Sequence, residues 1–192
     1  MHYKISSWLM KISSKKLTIV GFILFLVFSI AFLPSQSRIA EEYSQGMGSP
    51  DTSLFYTSAD LFCMAEFYGE EGRNAYIHAR WTFDLAFPLI YTFFLVTSIS
   101  WFSKHVLPVE SDFRTGNVIP LYVMLFDLLE NSAASLVFRS YPQQNTLLAS
   151  LAPFFTLVKW IYVAVSFLLL FVFMVWFIVK RIKKKASTIS TR

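Results

Sequence analysis

The chain has 192 residues, of which 55% are hydrophobic, 18% are aromatic and only 15% are charged. Soluble domains carry about 25% charged residues, so this composition excludes an ordinary soluble protein and predicts an integral membrane protein. The formal net charge is +5, but ten of the seventeen Lys and Arg residues lie at the two chain ends. This distribution is typical of a cytoplasmic membrane surface and argues against nucleic-acid binding. The single cysteine, Cys63, excludes an intrachain disulfide and a multi-cysteine metal cluster.

The residues before the first apolar stretch have the pattern of an amphipathic helix. Ile5, Trp8, Leu9 and Ile12 fall on one helical face, and lysines fall largely on the other. This pattern predicts an interfacial helix on the cytoplasmic leaflet, although a basic leader without regular structure is the alternative.

Four apolar stretches are each long enough to cross a bilayer, for which about 20 residues suffice. We place the spans at about residues 17–33, 81–102, 118–138 and 155–179. Pro34 should stop the first span, because proline disrupts a helix. The sequence therefore predicts an all-α integral membrane four-helix bundle. It forms a single domain of residues 1–185, followed by a basic and polar cytoplasmic tail end at 186–192.

The first apolar stretch has two interpretations. Lys15 and Lys16 precede it, and Ser29 and Ala31 loosely fit a small-x-small cleavage site, as in a secretory signal peptide. The stretch is longer than the about 7–15 apolar residues of such a peptide, which favours an uncleaved anchor.

The distribution of Lys and Arg predicts the orientation of the spans. The N-terminal segment has four lysines and no acid, and the C-terminal tail has six Lys or Arg and no acid. The loop between the first two spans has three arginines and seven acids. The positive-inside rule then places both termini in the cytoplasm and this loop outside the cytoplasm. We expect a multi-pass protein of the cell (plasma or cytoplasmic) membrane.

The acidic loop itself contains a helix signal. Thr57 and Asp60 form an N-cap pattern ahead of an apolar run that ends near Tyr68. We expect a short extracytoplasmic amphipathic helix here, between spans one and two, covering the mouth of the bundle. It should break near Gly69 and Gly72, and a second helical stretch should run into span two.

Three of the four spans carry a line of polar residues at helical spacing. They are Asp84, Tyr91 and Ser98 on span two; Asp127, Glu130, Asn131 and Ser135 on span three; and Thr156, Lys159 and Ser166 on span four. A charged side chain at membrane depth costs about 2.5 kcal/mol or more, and lipid cannot form hydrogen bonds with it. The three lines should therefore face one another. We predict a ligand-binding site of Asp84, Tyr91, Asp127, Glu130, Asn131 and Lys159.

The depth of these residues suggests how they pair. Lys159 should lie in the outer half, where it can pair with Glu130 or Asp84. Asp127 should lie deepest, without a cation at its own level. Two alternatives remain open: Lys159 extends to the interface beside Trp160, or the polar residues of span three only hold the helices together.

The sequence contains no reaction-defining motif. No span contains His, and HExxH, GxSxG and P-loop patterns are absent. We therefore predict no metal and no cofactor. The leading function is binding of a small or lipidic molecule in a cavity among spans two to four, open to the outer side. The alternatives are a membrane enzyme using Asp127 and Glu130 as catalytic acid and base, and a structural or accessory subunit of a membrane complex. The predicted partners are the bilayer and a lipid or small-molecule ligand, without nucleic acid.

The layout resembles that of the four-helix EXPERA membrane proteins, which include sterol isomerases and a sterol-binding receptor. The resemblance covers the number of spans, the outer loop after span one and the lysine-rich tail at Lys183–Lys185. It implies a helical bundle with acidic groups facing an internal cavity. The histidine that the isomerases use within a span has no counterpart here.

Overall fold

The computed structural model describes residues 2–50 and 53–190, with side chains up to residue 186 in the last helix. Asp51 and Arg192, counted among the charges above, lie outside the described residues. The elements are α1 His2–Ile12, α2 Lys15–Ala31, α3 Leu33–Ser44, α4 Ser58–Phe67, α5 Gly69–Trp81, α6 Phe83–Val106, a 3-10 helix Asp112–Val118, α7 Ile119–Ser140 and α8 Thr146–Ser190. The described part of the chain is thus all-helical.

Four helical stretches are long and apolar enough to cross a membrane. They are Lys15–Ser44, Gly69–Val106, Asp112–Ser140 and Thr146–Ala186. Each contains one of the predicted spans, so the prediction of an all-helical chain with four candidate spans is confirmed. Every stretch is longer than the predicted span, because the helix extends beyond the apolar residues into polar turns at one or both ends.

The first stretch is interrupted just before Pro34. The α2 helix ends at Ala31, and α3 begins at Leu33 with Pro34 in its first turn. Proline is tolerated there, because the first turn of a helix leaves its backbone N–H groups without helical partners. The helix thus breaks at Phe32, next to the predicted end of the span, and a second helix that begins at Leu33 continues the helical stretch.

The α4 helix begins at the predicted N-cap. Asp60 N–H donates to Thr57 Oγ1 at 3.2 Å, and Thr57 N–H donates to Asp60 Oδ2 at 2.8 Å. The break that follows lies at Gly69, which has a φ of 60°. The break does not extend to Gly72 as predicted, because Gly72 lies inside α5. A Cβ on Gly72 would come within 3.0 Å of the Tyr43 ring, so close contact with α3 accounts for this glycine.

One end of the bundle, called the α4 end below, is a core of aromatic and small residues. It joins α4, α5, the C-terminal part of α7 and the N-terminal part of α8. The Tyr76 and Phe138 rings stack at 4.1 Å between centroids, and Tyr56 shares a hydrogen bond of 3.0 Å with Thr156. The α4 helix is thereby held across the ends of α7 and α8.

The opposite end, called the α1 end, is fixed by polar contacts. Asn117 is fully buried and donates to Ser6 O at 3.1 Å and to Ser100 Oγ at 2.9 Å. Lys104 Nζ donates to the carbonyls of Met10 and Ser13 at 2.7 and 2.6 Å. The predicted N-terminal helix therefore exists and contacts α6 and the 3-10 helix, with Leu9 buried against them.

The α2 helix packs along α6 and approaches it most closely at Gly21. Of its residues only Gly21 is buried, and a Cβ there would lie 3.0 Å from Phe94 Cα. Phe25 stacks on Phe94 at 5.2 Å beside this crossing. Most other apolar side chains of α2 are exposed, as are many on α8. Such surfaces suit contact with lipid tails.

Candidate functional site

The polar residues predicted for the site converge between α6, α7 and α8. Glu130 is fully buried, and Asn131, Lys159 and Asp127 are 3%, 7% and 9% exposed. Asp84 is half-buried at the start of α6. The three lines of polar residues thus face one another, as the sequence predicts. Their position lies between the middle of the bundle and the α4 end.

Lys159 links two carboxylates of α7. Its Nζ atom forms an ion pair with Glu130 Oε2 and lies 3.3 Å from Asp127 Oδ1. The expectation that Asp127 lacks a cation at its own level is therefore wrong. Asp127 and Glu130 are three residues apart on one face of α7, so one ammonium group reaches both. The inward position of Lys159 also argues against an extended side chain at the interface.

Asn131 joins α7 to α6. Its Nδ2 atom donates to Asp127 Oδ2 at 3.3 Å and to the backbone oxygen of Asp84 at 3.4 Å. A single amide therefore fixes one carboxylate and the first turn of the neighbouring helix. This contact is the direct connection between the lysine-bound carboxylates and Asp84.

Asp84 pairs with an arginine of the preceding helix. Arg80 Nη2 lies 2.7 Å from Asp84 Oδ2, and the guanidinium lies over the Tyr76 ring at 4.6 Å. Arg80 was not among the predicted ligand-binding residues. The signal that would have found it is its position four residues before Asp84 on a helical stretch.

Tyr91 lies beside the acidic groups. Its hydroxyl is buried without a hydrogen-bond partner among the described residues, and it interacts electrostatically with Asp127, Glu130 and Asp84. Its ring meets Phe87 edge-on at 5.4 Å. The hydroxyl is therefore a buried donor placed near three acceptors.

We call the connected set the polar cluster: Arg80, Asp84, Asp127, Glu130, Asn131 and Lys159. It contains three carboxylates and two cations, a formal charge of −1. Buried charges are tolerated when they are paired, as most of these are. Chemically, the cluster brings three carboxylates close to one ammonium, one guanidinium and one amide group. Among residues 2–50 and 53–190, no group of three His, Cys, Asp or Glu is arranged to hold a metal ion.

A separate cleft lies near the cluster. It has a volume of about 280 Å³ and lies between α5 and α7 at the α4 end. Its lining residues are Ile77, Trp81, Ser132, Ser135, Leu136 and Arg139. Neither Asp127 nor Glu130 lines it, so the cleft and the cluster are separate features.

Comparison with protein-family models, with curated proteins and with solved structures finds no match to this chain.

Proposed function

We propose that this chain is a multi-pass protein of the cell (plasma or cytoplasmic) membrane that binds a small or lipidic molecule at the polar cluster. The observation that carries the proposal is the burial of the cluster's charged side chains within a bundle of apolar helices. Ionisable residues at membrane depth are costly and usually mark a ligand or ion site.

The composition of the cluster indicates what its ligand offers. Its formal charge is −1, and the Tyr91 hydroxyl lies near the three carboxylates. A ligand with hydrogen-bond donors or a positive group would complement this negative formal charge, because a net charge in a low-dielectric interior is unfavourable. The bound group would lie between α6, α7 and α8, in reach of Asp127 and Tyr91.

A structural or accessory subunit is the second candidate function. The contacts of Lys159 with Glu130 and Asp127, and of Arg80 with Asp84, form closed pairs that join α5, α6, α7 and α8. Hydrogen bonds and ion pairs of this kind hold membrane helices together. In this interpretation the cluster serves assembly and has no ligand.

The orientation is part of the same proposal. Both termini are cytoplasmic and α4 lies on the extracytoplasmic side. The α1 helix, the last turns of α8 and their lysines lie at the same end of the bundle, since Lys180 Nζ donates to His105 O at 3.0 Å. One basic end and one acidic end agree with the positive-inside rule.

The decisive variant is Asp127→Asn. The amide keeps the shape of the carboxylate, Lys159 keeps Glu130 as its partner, and the formal charge of the cluster becomes zero. We expect Asp127→Asn to fold as the wild type does. We expect its affinity for the bound molecule to fall by about tenfold or more, since a hydrogen bond to a charged group contributes about 1.5–3 kcal/mol.

The measurement is mass spectrometry of small molecules and lipids that copurify with the protein, together with thermal stability in detergent. Glu110→Gln, at an exposed carboxylate far from the cluster, is the matched control. A normal complement of bound molecules in folded Asp127→Asn contradicts the proposal, and failure to assemble with normal binding per folded molecule favours the structural role. Incubation of wild type and Asp127→Asn with the identified molecule then distinguishes a binder from an enzyme that uses Asp127 or Glu130.

A further inference from the structure

The cleft between α5 and α7 has the chemistry of a lipid site that is separate from the polar cluster. Ser132, Ser135, Leu136 and Arg139 follow one another at helical spacing and so share one face of α7. Ile77 and Trp81, four residues apart on α5, form the opposing wall. The cleft thus has an apolar wall along its length and polar groups on one side.

Ser135 provides a buried polar group inside this cleft. It is only 5% exposed, and its Oγ atom has no hydrogen-bond partner among the described residues. The neighbouring Ser132 hydroxyl is satisfied, because it donates to Leu128 O at 2.7 Å. Since buried hydroxyls are normally hydrogen-bonded, the Ser135 hydroxyl is available to a group bound in the cleft.

Arg139 provides a positive charge at the rim. It is exposed, and no carboxylate among the described residues forms an ion pair with it. None of the residues that line the cleft is acidic. Arginine binds phosphate and carboxylate groups through two parallel N–H donors. An anionic group is therefore the complement of this end of the cleft.

The apolar wall of the cleft favours an occupant that also has a hydrophobic part. Trp81 and Leu136 are 49% and 48% exposed, so a large hydrophobic surface borders the charge. Trp and Arg beside each other at the end of a span are typical of the depth of lipid headgroups. An acyl chain would cover Ile77, Trp81 and Leu136 while its headgroup contacts Arg139.

We propose that this cleft binds one anionic phospholipid, with the phosphate on Arg139 and Ser135 and an acyl chain along the α5 wall. The headgroup charge matches the guanidinium, and the serine hydroxyl donates to a phosphate oxygen. The proposal is independent of the polar cluster, because the two sites share no residue.

The test is native mass spectrometry of the full chain in detergent, titrated with phosphatidylglycerol or with phosphatidylcholine. We expect one phosphatidylglycerol to bind tightly, phosphatidylcholine to bind more weakly, and water-soluble glycerol phosphate not to compete. Arg139→Gln should weaken phosphatidylglycerol binding by about tenfold or more, as expected for loss of a charge-assisted pair. Arg38→Gln, at an exposed arginine on α3, should leave binding unchanged.

Two further variants distinguish the cleft from general attraction to the surface. Ser135→Ala removes the donor and should weaken binding without loss of thermal stability. Ser132→Phe, at a half-buried position, should fill the cleft and abolish binding. Equal affinity for the two lipids, equal effects of the variants at Arg139 and Arg38, or normal binding by a folded Ser132→Phe protein would overturn the proposal.

Discussion

Lys159 on α8 and Glu130 on α7 form an ion pair, and both side chains are buried inside the bundle. Glu130 is fully buried and Lys159 is 7% exposed. Because Asp127 lies 3.3 Å from the same Nζ atom, a single ammonium group compensates two carboxylates. The stability of α7 against α8 therefore depends on this lysine more than on either acid.

Replacing Lys159 by Met should strongly destabilise the protein. The variant leaves Asp127 and Glu130 buried without their shared cation, and breaking a buried pair in this way costs about 3–5 kcal/mol. Reversible unfolding in mixed detergent measures the change. Lys11→Met, at an exposed lysine of α1, should have no comparable effect.

The neutral triple variant Asp127→Asn, Glu130→Gln, Lys159→Met provides the complementary test. It removes all three charges together, so most of the lost stability should return, because replacing a whole buried ion pair is often nearly neutral. If the triple variant is as unstable as Lys159→Met, shape and not charge compensation explains the destabilisation.

The positions of the helices could be predicted from the sequence because apolar length and the Thr57–Asp60 cap are local signals. Each predicted span lies within an observed helical stretch, and α4 begins at its predicted cap. The helix that begins around Pro34 and the position of Gly72 inside α5 have no such local signal. The effect of proline depends on its position within a helical turn, and that of Gly72 depends on contact with Tyr43.

Which charged residues pair with one another was harder to predict than which residues belong to the site. Helical spacing correctly groups Asp127, Glu130 and Asn131 on one face, and lipid forces that face inward. The partner of each charge depends on how far α8 is shifted along α7 and on the reach of the lysine side chain. That relation is set by tertiary contacts. Of the two partners predicted for Lys159, Glu130 is confirmed, and Asp127 takes the place of Asp84.

Gly21 should control contact between α2 and α6. A Cβ at this position would lie 3.0 Å from Phe94 Cα, which is backbone and cannot move aside alone. Gly21→Val should therefore destabilise the protein by about 1–3 kcal/mol through overpacking. This cost exceeds the gain in helix propensity, which is below about 1 kcal/mol.

The measurement for Gly21→Val is thermal stability in detergent, with limited proteolysis to detect release of α2. Ile23→Ala, at a residue of the same helix that is 53% exposed, is the control and should change little. Unchanged stability of Gly21→Val would show that α2 does not approach α6 this closely.

Asp60 should make the start of α4 sensitive to acid. Two hydrogen bonds from Thr57 hold the pKa of the Asp60 carboxyl below its ordinary value. The bond from the backbone N–H has the larger effect, and the bond from the hydroxyl has the smaller one. Because the native pKa is lowered, the ionised carboxylate stabilises the folded state. This stabilisation is complete at pH values above the pKa of the unfolded state, which is about 4. This stabilisation is lost as the pH falls through the lowered native value.

Hydrogen exchange of α4 amides between about pH 6 and pH 2, corrected for the intrinsic exchange rate, measures this effect. Protection should fall below about pH 4 in the wild type, and the step should be absent in Asp60→Asn, which should have weaker protection throughout. Glu66→Gln, at an exposed carboxylate of the same helix, should keep the step. A step of equal size in Asp60→Asn would assign it to another group.

The proposed orientation can be tested with the chain's own cysteine. Cys63 is exposed on α4, so a membrane-impermeant maleimide should label it in intact cells if α4 is extracytoplasmic. Glu70→Cys in a Cys63→Ser background gives a second site, at an exposed residue in the first turn of α5. Ser187→Cys in the same background should be labelled only after permeabilisation, because the basic tail is retained on the cytoplasmic side. Labelling of position 187 in intact cells, or of positions 63 and 70 only after permeabilisation, would reverse the orientation and place α4 in the cytoplasm.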